Sequence, residues 1–188
     1  MREKKENGMK KRIALFVVVI TAFSLNARPN ALKKPVFNVS FEPYFFYQPV
    51  EESFTLYANL IPVSLELALS DNNGIQLTPL AGLKFYQWGA RFGLLGAELS
   101  FPVYYTPRTG SKPYGGYYTS GVISGGYNVS ESYVALTAAN ETGVCFTLFN
   151  LSMGVAFQAG GTYFLFSEPT LNKNTIQMGF LARVGFWL

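Results

Sequence analysis

Five charged residues of this 188-residue chain fall where the alternation of side chains gives them chemical meaning. Glu42, Glu66, Lys84, Glu98 and Arg183 each stand singly on a row of small or polar residues whose opposite row is apolar. Three acids and two bases spread in this way suit ion pairing across a narrow interior, because a charge left unpaired there would be costly. If Trp88 faces Phe92 in the hairpin joining runs 75–88 and 91–106, Lys84 lies opposite Gly96. Glu98 is then diagonal to Lys84, about 7–8 Å away backbone to backbone. Closing a sheet on itself would bring Arg183 to Glu42, leaving Glu66 as a third acid, hydrated or facing a narrow cation-preferring path. Two outcomes stay open at this point: the belt plugs the interior, or it lines a wider wet channel.

Enzymatic chemistry has little to work with. The chain has no histidine and one cysteine, so it lacks the usual general base and a credible transition-metal ligand set. The adjacent acids Glu51 and Glu52 read as a solvated loop, and no glycine-rich phosphate loop occurs. We therefore expect no enzyme activity, no cofactor and no metal. Cys145 cannot form an internal disulfide and reads as a small buried or lipid-facing apolar residue. Asn38, Asn128, Asn140 and Asn150 each begin an Asn-x-Ser/Thr triplet, which Asn-, Ser- and Thr-rich strands generate by chance. A second cluster, Arg108, Lys112, Tyr114, Tyr117 and Tyr118, surrounds the longest link, 107–115. It reads either as a ligand-contacting surface at the cell exterior or as part of an interfacial aromatic girdle with Tyr44, Tyr47, Trp88, Tyr104, Tyr105 and Trp187.

The elements that must position these residues are strands. Turn chemistry and period-two alternation divide the chain into ten runs: 36–47, 53–59, 62–70, 75–88, 91–106, 116–129, 132–139, 142–149, 151–166 and 175–188. No convincing helix interrupts them. In the last run Phe180, Ala182, Val184, Phe186 and Leu188 share one face, while Gly179, Arg183, Gly185 and Trp187 share the other. Phe41, Leu65, Leu83 and Val184 represent the apolar rows, which we expect to face lipid. Longer links at 48–52, 71–74, 107–115 and 167–174 take turns with tight ones near 60–61, 89–90, 130–131 and 149–150; the short Asn140-Glu141 link breaks the rule. These features predict an antiparallel up-and-down transmembrane β-barrel of ten strands, with loop 107–115 external. Eight strands result if 53–70 and 142–160 are each one long bent strand, against which Pro62 argues.

Met1 to Ala27 reads as a cleaved secretory signal, with a basic start and the apolar run Ile13 to Leu25. Its roughly 13 residues fall short of the ~20 that a spanning helix needs. Met9 is an alternative start, and cleavage would place the mature end at or near Arg28. The leader carries six of the 15 basic and two of the 11 acidic residues, so nine of each sign remain and no nucleic-acid partner is expected. The rest forms one domain, 28–188. Hydrophobic residues make up 49% of the chain and charged ones 14%, against roughly 25% charged in an ordinary soluble domain. A soluble exported barrel carrying a ligand is the structural alternative. The polar rows are too small and too sparsely charged to coat a water-facing wall, which favours the membrane.

In these features the chain resembles the small outer-membrane barrels of diderm bacteria, the OmpX-, OmpA- and OmpW-like class. The residues that carry the resemblance are Lys10-Lys11-Arg12 with Ile13 to Leu25, and a C-terminal segment similar to the barrel-assembly signal: Gln177, Gly179, Ala182, Val184 and Phe186. In that class the final residue is usually aromatic, whereas this chain ends in Leu188. The resemblance implies a place in the outer membrane, lipid and the barrel-assembly machinery as partners, and a structural or small-solute permeability role. Likeness to the OmpW group would add passage of small hydrophobic molecules. A surface interaction protein or adhesin acting through loop 107–115 is the other functional alternative.

Overall fold

Alternation of apolar and small polar residues becomes ten antiparallel strands that close in a ring. The structure is a computed structural model and describes residues 36–47, 56–86, 89–108 and 113–188. The expected leader, Glu51-Glu52, Trp88 and Lys112 lie outside the described residues. The strands are β1 (Phe37–Phe41), β2 (Tyr44–Tyr47), β3 (Leu56–Asn59), β4 (Val63–Ala68), β5 (Gly74–Tyr86), β6 (Gly89–Thr106), β7 (Gly115–Asn128), β8 (Tyr133–Leu148), β9 (Leu151–Phe166) and β10 (Lys173–Trp187). A short 3-10 turn, Pro169–Leu171, precedes β10. No helix among the described residues is long and apolar enough to cross a membrane.

The ten strands occupy eight positions around the ring. β1 and β2 both pair with β10, and β3 and β4 both pair with β5, so each of these couples is one wall position interrupted midway. Pairing of β1 with β10 closes the sheet, and Leu188 N donates to Phe37 O at 2.7 Å.

This corrects the division of the chain. Run 36–47 is broken at Glu42-Pro43, and residues 60–62 do not reverse the chain, because β3 and β4 run the same way along β5. Conversely β8 passes straight through Asn140-Glu141, where a link was expected, and the alternative single strand 142–160 is divided by the turn at Phe149. Consequently β4 is followed by β5, β6 by β7 and β8 by β9 at the end of the ring where β1 begins and β10 finishes, here the near end. β2 is followed by β3, β5 by β6, β7 by β8 and β9 by β10 at the far end. The expected alternation of long and short links between the two ends is absent.

The interruptions have a chemical cause. Pro43 and Pro62 have no N–H to give a ladder, and they stand diagonally across neighbouring wall positions, where Glu42 N donates to Pro62 O at 2.7 Å. On the β5 side the Asn59 side chain replaces the missing ladder. Its Nδ2 donates to Ile61 O (3.0 Å) and Pro79 O (2.9 Å), while its Oδ1 accepts from Ile61 N (3.2 Å) and Ala81 N (2.9 Å). One amide thereby meets four backbone groups beside the break, while Leu60 N donates to Ala81 O at 2.8 Å.

The two sides of the wall differ completely. Every charged residue within a strand, Glu66, Lys84, Arg91, Glu98, Glu141, Lys173 and Arg183, has the inward parity. The outward rows expose Phe41, Leu65, Leu95, Ile123, Val155, Phe180 and Val184 among many others. The interior is buried and polar at mid-height, with a layer of aromatic rings towards each end.

Candidate functional site

The polar middle of the lumen is built around Arg183, contributed by β10. Closure register sets Phe41 beside Val184 and Ser40 beside Gly185, which puts Glu42 against Arg183. Arg183 Nε donates to Glu42 Oε2 at 2.8 Å, and its Nη2 stands 3.6 Å from Glu141 Oε1 on β8. The guanidinium also lies over the Tyr118 ring, 5.7 Å from its centroid. Glu42 Oε2 takes two further hydrogen bonds, from Ser64 Oγ (2.8 Å) and Gln76 Nε2 (2.8 Å), and Tyr118 OH donates to Glu141 Oε1 at 2.7 Å. Such buried charges persist only when paired and hydrogen-bonded. Glu66 accepts from Tyr104 OH at 2.9 Å, and Glu98 from Gln158 Nε2 at 3.3 Å. Tyr44 OH donates in turn to Gln158 Oε1 and accepts from Gln177 Nε2.

Ring layers close this network on both sides. Towards the near end Tyr104 stacks on Tyr114 with centroids 4.1 Å apart, Tyr118 tilts against Tyr104, and Trp187 meets Tyr114 edge-on at 5.2 Å. Arg108 covers the outer side of Tyr114 at 5.0 Å. Towards the far end Phe46 stacks on Tyr57 at 4.8 Å, and Tyr133 packs on Phe164 and Phe166. Rings of this size need bare backbone opposite them. At Gly143 a Cβ would come 2.7 Å from the Tyr118 ring and 2.8 Å from Ala156 Cβ, so only glycine leaves Tyr118 its place.

Of the residues singled out by the sequence, all five of the belt are inside and buried: Glu42, Glu66, Lys84, Glu98 and Arg183. Their expected partners change in one case. The hairpin turn is tighter than assumed, with Tyr86 opposite Gly89, and Gly93 bulges out of register between Gly82–Leu94 and Leu83–Phe92. Lys84 therefore faces Arg91, and Glu98 faces Thr78, six residues away along β5, roughly 20 Å. Lys84 Nζ instead reaches Glu131 Oε1 in the far-end turn, at 2.6 Å. The Asn128 side chain builds that turn, its Oδ1 accepting from Glu131 N (2.9 Å) and Ser130 N (3.0 Å).

The loop cluster is corrected more deeply. Arg108, Tyr114 and Tyr118 are buried, and the Tyr114 hydroxyl shares its one proton between the backbone carbonyls of Ser70 and Asn73, so none of the three forms a contact surface. Tyr117 alone of the described members is exposed, stacked obliquely against the exposed Tyr105. The girdle loses Tyr44, Tyr104 and Trp187 for the same reason: parity with Glu42, Glu98 and Arg183 turns them inward, whatever their closeness to strand ends. In the C-terminal segment Gln177 and Gly179 point inward, and Ala182, Val184 and Phe186 outward. Cys145 is buried on the lumen side, its Sγ 3.9 Å from Tyr114 O.

Two partners of the interior cations escaped the sequence. Glu141 looked like part of a link, although its inward parity with Tyr133, Ala135 and Thr137 along an unbroken β8 carries the signal. Glu131 lies in the tight link near 130–131, where the alternation assigns it no partner. Among the described residues no three His, Cys, Asp or Glu side chains gather as a metal would need. The chain matches no family model and no curated protein sequence. Its class is defined by its own geometry: an antiparallel, all-β closed ring with a charged and side-chain-filled interior.

Proposed function

We propose that the chain is an integral outer-membrane β-barrel whose lumen is closed by its own side chains, with a structural role in the envelope rather than that of an open pore. One observation carries the membrane part of this reading. The outward rows bear no charged residue on any strand, while every strand charge has the inward parity. A wall of Phe, Leu, Val and Ile with that inversion is favourable against hydrocarbon and unfavourable against water. Exposed Tyr105 and Tyr117 near one end, with Tyr127 and Tyr163 towards the other, fit interfacial positions. The closed-lumen part is supported by the Arg183 network between two ring layers. With eight wall positions both ends of the described chain fall on one side, the periplasmic side in this reading. Loop 107–114 is then periplasmic rather than external.

Refolding into lipid vesicles tests both parts. Protease-protected, vesicle-bound protein without steps of conductance in planar bilayers is the expected result. Recovery as a soluble monomer in detergent-free buffer would overturn the membrane assignment, and stepwise ion conductance would overturn the closed lumen.

A further inference from the structure

We propose that the cavity beside Glu98 is a binding site for one water-sized monovalent cation of the potassium or ammonium kind. The middle of the lumen holds four buried carboxyl groups, Glu42, Glu66, Glu98 and Glu141, around the single guanidinium of Arg183. Arg183 is engaged by Glu42 and Glu141. Among the described residues Glu98, only 3% exposed, receives one hydrogen bond, the 3.3 Å contact from Gln158 to its Oε2, and none reaches its Oε1. That carboxyl lines a cavity of about 20 Å³, room for one particle of water's size.

The rest of the lining tells the ligand's chemistry. Tyr44, Phe46, Tyr57 and Tyr133 surround the cavity with aromatic rings, and Ser124 and Thr137 add hydroxyl-bearing side chains. A carboxylate with ring faces and hydroxyls around it attracts a cation by charge and by the ring quadrupole. A single carboxylate favours single charge, and a wall of four aromatic rings with Leu80, Leu94 and Ala135 between them favours ions that give up hydration readily, potassium and ammonium over lithium. The volume excludes tetramethylammonium. Because the cavity is inside the ring, the site does not depend on whether lipid or detergent surrounds the wall.

The test uses the full chain refolded in zwitterionic detergent. Urea unfolding midpoints are measured in potassium, ammonium, lithium and tetramethylammonium chlorides at equal ionic strength, for the unaltered protein and Glu98→Gln. The site requires midpoints that rise saturably with potassium or ammonium alone, and loss of that difference in Glu98→Gln. Equal midpoints in all four salts, or a salt difference that survives in Glu98→Gln, would overturn it. Should Glu98→Gln not refold, crystals of the unaltered protein soaked in rubidium decide: an anomalous peak inside the ring-lined cavity supports the site, and its absence overturns it.

Discussion

Replacing Arg183 by Met tests the lumen network at its centre. Arg183 is 93% buried and is the cation shared by Glu42 and Glu141, themselves buried to 98% or more. Met fills much of the volume but leaves two carboxylates facing each other without a counter-charge. Breaking a buried pair by removing one partner typically costs about 3–5 kcal/mol. Glu42 keeps its bonds from Ser64 and Gln76, and Glu141 keeps that from Tyr118, so the loss belongs in this range rather than above it. With a urea slope of about 1–3 kcal/mol per molar, the unfolding midpoint in detergent should fall by more than 1 M. Adding Glu42→Gln to Arg183→Met should restore part of the loss, since one orphaned charge goes with it. An Arg183→Met protein within about 0.5 kcal/mol of the parent, with unchanged conductance, would refute the network as the element that plugs the ring.

Three further changes separate the parts of the structure. Lys84→Met should cost only about 1 kcal/mol, because Glu131 at the far end is 36% exposed and its bridge is screened; a loss as large as that of Arg183→Met in the same urea titration would place Lys84 in the central network. Asn59→Leu removes all four bonds across the β3–β4 interruption and should cost about 2–4 kcal/mol by leaving backbone groups unmet, with faster amide exchange at Ile61 and Ala81 by NMR; unaltered exchange there would mean the prolines alone fix the break. Val184→Arg, on the outward row, should cost about 2–4 kcal/mol for folding into vesicles, and an unchanged vesicle folding yield and stability would contradict a lipid-facing wall.

What the sequence by itself determined is the side on which each residue falls. Period-two alternation is local, since consecutive side chains of a strand must point to opposite faces. It therefore placed Glu42, Glu66, Lys84, Glu98 and Arg183 inside and Phe41, Leu65 and Val184 outside without knowledge of any partner. Read consistently, the same parity would also have turned Tyr44, Tyr104, Tyr118 and Trp187 inward; judging them by distance from strand ends missed this. Other features were decided only when the strands met. Whether residues 60–62 reverse the chain or merely interrupt it depends on β5 offering Ala81 and Pro79 to the Asn59 amide. Asn140-Glu141 continues β8 because β7 and β9 pair with it on both sides, and this brings Glu141 to Arg183. The tight turn of the β5–β6 hairpin, with Tyr86 opposite Gly89, sets a register that takes Lys84 away from Glu98, and its Nζ reaches Glu131 instead. Hydrogen-bond partners and register are properties of two chain segments at once, and a segment read alone holds only one of them.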